Sequence, residues 1–205
     1  MAQARSRRGG GERGPDIIGA AAAEFVEKGF AAARLDDVAK RAGVSKGALY
    51  LYFDTKQAMF EAVVRQSVLP NVEGIAALVE AHDGAQADLL RAMFFRAAAF
   101  AEAGRIGAVA KMVIGESRSF PELARIWHDT VLARGIGLLT GVIARGQATG
   151  EFRAGDPRLL AVGLFAPLVI GEIWRETFTP AGAEPLDVSA LVASHIEVIV
   201  AGLRT

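Results

Sequence analysis

Residues 35–53 read LDDVAKRAGVSKGALYLYF. Leu35, Val38, Ala39 and Ala42 fall at the spacing of a short helical face. Asp36 and Asp37 stand in its first turn, where the helix dipole favours acids. Gly43 ends that helix, Val44 follows, and Ser45 is placed to cap the next one by accepting from its free N–H groups. The second helix carries Leu49, Tyr50, Tyr52 and Phe53. Two short helices joined by a tight glycine turn make a helix-turn-helix layout. Ala39 is small where the helices cross, and Gly43 supplies the backbone freedom the turn requires. Val44 and Leu49 are expected to point inward. Lys46, Gly47, Ala48, Tyr50 and Tyr52 then remain for an outer face. Small residues at 47 and 48 let a helix sit deep in a major groove, and Lys46 and the tyrosine hydroxyls suit phosphates and base edges. Lys56, in the first turn of the following helix, is expected to reach a phosphate together with that helix's N-terminus.

Outward from this stretch the chain reads as helix throughout. Residues 1–14 are rich in Arg and Gly (Arg5, Arg7, Arg8, Arg13), with no apolar period, and are expected to form a flexible basic arm. Pro15 opens a helix through Ile17, Ala21, Phe25 and Val26 that Gly29 stops. A long helix starts at Asp54-Thr55, and Pro70 is expected to kink or split it. Further helices are expected at 85–103, with Gly104 as the stop, at 105–116, and from Phe120-Pro121 to about Gln147. After a turn at 150–155, Asp156-Pro157 is an N-cap followed by Pro at the first helical position. That helix is expected to run to about Phe178, and the last one spans 187–203. No alternating strand is evident. The fold class is all-α, with about nine helices.

Composition narrows the function. The 205 residues are 52% hydrophobic and 22% charged, with a mean hydropathy of +0.29. A disordered chain has the opposite profile. Cys is 0, which removes disulfides, thiolate metal sites and cysteine catalysis, and fits a reducing cytoplasm. The longest apolar run, Leu159–Gly171, is interrupted by Pro167 and is expected to be too short for a membrane span, which needs ~20 residues. No apolar segment follows the basic start, so a secretory signal is not expected. The formal net charge of zero hides an asymmetry. Residues 1–70 hold 11 basic and 8 acidic side chains, and residues 71–205 hold 12 and 15. A basic N-terminal third points weakly to an anionic partner.

Residues 25–62, FVEKGFAAARLDDVAKRAGVSKGALYLYFDTKQAMFEA, resemble the DNA-binding domain of TetR/AcrR-family transcriptional regulators. The run GVSKGALYLYFDTKQAMF is the most specific part. The resemblance is strong over residues 15–65 and weaker beyond, where EFRAGDPRLLAVGL is similar to a turn and helix of some members' ligand-binding halves. It implies a homodimer on double-stranded operator DNA, switched by a small-molecule effector, without a cofactor and without a membrane. The implied organisation is an arm at 1–14, a DNA-binding domain at 15–56, and a ligand-binding and dimerisation domain at 57–205. By motif position the recognition helix is Ser45–Tyr52. Lys46, Gly47, Ala48, Tyr50, Leu51 and Tyr52 hold DNA-contacting positions, and Lys56 the phosphate-contacting one. Members usually carry Thr or Ser before the second helix. Ala33 and Arg34 stand there in this chain, so a cap worth about 0.5–2 kcal/mol is lost and Arg34 is left to meet a phosphate by charge.

In the C-terminal half, Met93, Phe94, Phe100, Met112, Trp127, Phe165 and Trp174 form an apolar set. Most of it is ordinary core, and a subset is expected to line a cavity, Met adapting to varied ligand shapes. Arg96, Glu116 and His128 are the polar groups expected to orient a ligand there. The helices at 156–178 and 187–203 carry wide apolar faces, Leu160, Leu164, Leu168 and Ile173 on one and Leu191, Val192, Ile196 and Ile199 on the other, expected to pair across a dimer interface. His82, His128 and His195 lack metal-site spacing, and Glu116 and Glu122 have no His partner. Gly135-Ile136-Gly137 lies inside a helix, away from the strand a dinucleotide site needs. With no nucleophile–base pair or paired carboxylates, an enzyme is not expected. A helical adaptor is the remaining alternative, and Lys46 and Lys56 argue against it.

Overall fold

The computed structural model describes residues 13–102 and 106–204. Ten α-helices follow one another: α1 Arg13–Ala32, α2 Leu35–Arg41, α3 Lys46–Tyr50, α4 Lys56–Ala81, α5 Gln86–Glu102, α6 Ile106–Glu116, α7 Pro121–Trp127, α8 Ala133–Ala148, α9 Pro157–Ile173 and α10 Val188–Leu203. A π-helical turn at His128–Leu132 joins α7 to α8, so residues 121–148 run as the one long helix expected, and the continuous helices among the described residues are nine. No strand occurs among the described residues, beyond one isolated bridge between Phe152 and Arg204. The expected arm lies outside the described residues except for its last two, which belong to α1. The expected stop at Gly104 lies outside them as well.

The chain divides into two compact units after Gln66. The N-terminal unit reaches beyond residue 56 because the first turns of α4 are part of its core. Met59, Phe60 and Val63 are fully buried. The Phe25, Phe30 and Phe60 rings sit 5.6–5.9 Å apart, centroid to centroid, in the stacked and edge-on arrangements aromatic pairs favour. Val38 and Ala39 of α2 and Leu49 of α3 close the core as expected, while Val44 is only half-buried. Gly29 (φ 77°) interrupts the helical conformation inside α1, which bends there before its last residues. Gly43 (φ 67°) makes the turn between α2 and α3 in the left-handed region that glycine enters at no steric cost. A buried carboxylate ties α1 to α2: Glu24 pairs with Lys28 at 2.6 Å and with Arg41 at 3.5 Å.

In the C-terminal unit, α5, α8, α9 and α10 enclose one apolar core around Leu90, Phe94, Val142, Leu164, Val192 and Ile196. Asp156 caps α9, accepting from the Arg158 and Leu159 N–H groups at 2.8 and 3.1 Å, with Pro157 at the first position. Asp187 caps α10 from the Ala190 N–H at 2.9 Å. Pro70 does not split α4, which stays helical across it. The helical stretch Pro157–Ala181 is long and apolar enough to cross a membrane by length and composition, contrary to the expectation from its shorter apolar run. The π-turn Trp174–Phe178 and the 3₁₀ turn Thr179–Ala181 add that length. Ala161, Leu164, Pro167 and Gly171 of this stretch are buried within the unit, and Glu172, Arg175 and Glu176 interrupt it with charge.

Candidate DNA-binding face and apolar cavity

Helix α3 is little more than one turn. It is held by the Ser45 Oγ, which accepts from the Ala48 N–H at 3.1 Å. At its other end the Tyr52 and Phe53 N–H groups close on the Leu49 carbonyl at 3.0 and 3.1 Å. Leu51 and Tyr52, expected inside a recognition helix, therefore follow it as a tight turn. Leu49 faces the core and Lys46, Gly47, Tyr50, Leu51 and Tyr52 are exposed, with Ala48 half-buried. Leu51 is 86% exposed. A leucine so placed contributes little to the core of its own unit. The Lys46 ammonium pairs with Asp36 at 2.8 Å, which raises its pKa and keeps it charged. Such an exposed pair is screened by solvent and holds the lysine only weakly. Arg34 occupies the N-cap position of α2 without a side-chain cap bond, and is exposed.

Lys56 departs from its expected role. Its Nζ donates to the Phe30, Ala31 and Ala33 carbonyls at 2.6, 3.1 and 3.0 Å, and lies 4.6 Å from the centre of the Phe30 ring. Carbonyls at a helix end lack partners within the helix and carry its negative dipole. The ammonium is thus spent on closing the end of α1, at the bend Gly29 creates.

The C-terminal unit contains an apolar cavity of about 390 Å³ between α4, α5, α6, α7, α8 and α9. Phe100, Trp127 and Phe165 of the expected ligand set line it. The remainder of that set does not. Met93 and Phe94 are core, packed against α8 and α10 side chains. Met112 is buried off the cavity. The Trp174 indole N–H donates to the Glu184 carbonyl at 2.8 Å and its ring meets Phe178 edge-on. Arg96 lies against Gly74 of α4, and Glu116 is outside the lining. His128 is exposed, 2.8 Å from its neighbour Asp129. Period and composition identify an apolar helix side, but not whether that side meets a void or another side chain.

The polar group sequence reasoning missed is Glu172. It lines the cavity and is 8% exposed, and burial pushes its carboxyl pKa up. Its signal was a lone acid ending the apolar run 159–171. Among the described residues, the other charged lining residue is Lys111, whose ammonium donates to the Glu176 carbonyl. No group of His, Asp and Glu positioned to hold a metal occurs among the described residues.

Several of the residues expected at a dimer interface pack within this chain's own core. Leu164, Val192 and Ile196 are fully buried. Leu160, Leu168 and Ile199 pack against the core, and Leu168 and Ile173 line the cavity. Leu191 is half-buried. Both helices are apolar on more than one side, and the outward apolar residues are Leu159, Val162, Val169 and Ile170 of α9 and Val198 of α10.

A small helix-turn-helix unit, followed by a helical unit with an apolar cavity, defines a DNA-binding transcriptional regulator. Residues 17–63 match the model of bacterial regulatory proteins of the tetR family, and residues 79–192 match the tetracyclin repressor-like C-terminal domain. The chain belongs to the TetR family. Over 64 residues it is 41% identical to the HTH-type transcriptional activator FasR of Mycolicibacterium smegmatis, a match spanning 31% of this chain and 29% of that one. It is 25% identical over 190 residues to the fatty acid metabolism regulator protein of Bacillus subtilis, covering 92% and 94% of the two chains. The fold superposes on FadR from Bacillus subtilis, crystallised in complex with stearoyl-CoA, with a TM-score of 0.75 at 22% identity, over 93% of this chain and 99% of that one.

Proposed function

We propose that this protein is a homodimeric cytoplasmic repressor that binds double-stranded operator DNA and is released by an apolar or weakly polar small molecule. The observation that carries the reading is the outward face after Ser45. Lys46, Tyr50, Leu51 and Tyr52 are exposed on an element whose inner side is locked by Leu49. Lys46 and Arg34 supply phosphate contacts, which set register and affinity. Gly47 and Ala48 admit close approach, and the tyrosines and Leu51 address base edges. The apolar cavity supports the effector, and FadR's stearoyl-CoA shows an acyl ligand on a similar fold. The exposed aliphatic residues of α9 and α10 support pairing with a second copy rather than a membrane, and two reading heads suit a palindromic site with half-sites about 34–36 Å apart. Helix α4 has its first turns in the N-terminal unit and its remainder in the unit that holds the cavity. It is the element through which ligand and DNA would be linked.

The test is fluorescence anisotropy with DNA from upstream of its own gene. The logarithm of the affinity is expected to fall linearly with the logarithm of salt concentration, and Lys46→Ala and Tyr50→Ala to weaken binding with unchanged circular dichroism. Unchanged affinity in both variants refutes the reading. An effector coupling of about 1–3 kcal/mol changes DNA affinity roughly 5–150-fold, and operator DNA weakens the effector equally.

A further inference from the structure

Resting on the effector reading above, we propose that Glu172 makes the cavity select an amphipathic ligand. The favoured ligand presents a hydrogen-bond donor, a hydroxyl or an ammonium, at the α6–α9 end, and one ending in a carboxylate is rejected. The lining is mostly aliphatic and aromatic, with Asn71, Ser117 and Lys111 among its few polar side chains, and the buried acid Glu172 is part of its wall. One oxygen, Oε2, accepts from the Arg175 Nη2. The other, Oε1, is buried and has no hydrogen-bond partner among the described residues. Among the described residues, the nearby cations are engaged elsewhere. The Arg175 guanidinium is divided between Glu172, the Ala101 carbonyl at 2.8 Å and Glu176 at 3.3 Å, and Lys111 is held on the Glu176 carbonyl. Among the described residues, Glu172 and Glu176 meet Arg175 and Lys111 at this end. What is left over is one acceptor valence.

A buried acceptor without a donor is costly, and more so when charged. A ligand hydroxyl or ammonium reaching Oε1 removes that cost. A carboxylate brings further acceptors and a like charge into the same low-dielectric end. Gly107 of α6 fixes the position of the acid: a Cβ there would stand 1.9 Å from Oε2. The close approach of α6 therefore depends on glycine, and it seats the carboxylate at the cavity wall.

Isothermal titration of the full chain with decylamine, 1-decanol and decanoate tests this. The amine and the alcohol are expected to bind at least tenfold more tightly than the acid. Glu172→Leu removes the acceptor and is expected to abolish that gap. Gly107→Ala displaces the carboxylate without removing its charge, and is expected to narrow the gap too. Glu172→Gln fills the same volume with a neutral acceptor, and is expected to weaken the amine while sparing the alcohol. Equal or tighter binding of decanoate overturns the proposal, as does a gap that persists in a folded Glu172→Leu, or no binding of any probe. Parallel anisotropy with operator DNA separates the two readings. If all three compounds release DNA equally, the effector reading stands and the selection by Glu172 fails. If the expected gap appears without any change in DNA affinity, the selection stands and the switch fails.

Discussion

Replacing Lys56 by Met retains the aliphatic stem and removes the ammonium. In the structure that ammonium serves the Phe30 and Ala33 carbonyls, both in half-buried settings, and the more exposed Ala31 carbonyl. A hydrogen bond to a charged group contributes about 1.5–3 kcal/mol. The Ala31 carbonyl regains water and loses little, so the two half-buried bonds set the scale. A loss of about 3 kcal/mol is expected from these bonds, with the cation–π contact to Phe30 a minor addition. That corresponds to roughly a 150-fold increase in local opening. Both tryptophans, Trp127 and Trp174, lie in the C-terminal unit, so indole fluorescence does not report this change. Hydrogen exchange read by mass spectrometry on peptides from residues 13–66 does. Protection is expected to collapse there and to persist in peptides from α8 and α10. If Lys56→Met leaves protection within threefold of the parent chain while DNA affinity and its salt slope fall, the lysine is a phosphate contact and the present account of the α1 end is wrong.

Gly146→Ala would bring a Cβ to 2.1 Å from the buried Phe152 ring; overpacking of this kind is expected to cost about 1–3 kcal/mol, measurable by urea titration. Leu159→Glu combined with Val198→Glu is expected to yield monomers in light scattering, because these side chains are 70% and 67% exposed. Leu164→Ala, at a fully buried site, is expected instead to destabilise the fold by about 2–5 kcal/mol; a dimer untouched by the double variant refutes the assignment of the interface. The Asp37 carboxyl is held below its usual pKa by Lys28, Glu27 by Arg41 and Glu197 by Arg91. A depressed folded-state pKa gives stability that is present above the unfolded value and lost as pH falls through the folded one, so melting temperature should drop as pH falls below the ordinary carboxylate range. Asp37→Asn should flatten that dependence, and a profile identical to the parent chain's would exclude the Lys28–Asp37 contribution.

Features that arise within a few residues of chain were legible without the fold. The turn at Gly43 follows from its backbone conformation, and the Ser45 and Asp156 caps follow from side chains that reach their own helix ends. Leu49 inside and Lys46, Tyr50 and Leu51 outside follow from helical period on one short element. Period was enough there because only one side of α3 is apolar. On α9 and α10 it was not, since residues on several sides are apolar and local pattern cannot rank them. By local pattern Leu164, Val192 and Ile196 suit a partner's surface, and the packing of α5, α8, α9 and α10 claims them instead. The task of Lys56 likewise depends on contacts 23 to 26 residues away, which bring the α1 carbonyls to its ammonium. The cavity is the extreme case. Phe100, Trp127 and Phe165 line it while Met93 and Phe94 fill the core, although all five are apolar residues on helices. Glu172 becomes a ligand-facing acceptor only because α6 approaches it at Gly107 and Arg175 takes one of its two oxygens. The local chain determined which segments are helices, where they stop and which short element presents a reading face, because those depend on backbone and side-chain groups close in sequence. Which apolar side is core, void or surface was decided by the packing of distant helices, because burial is a property of the neighbour and not of the residue.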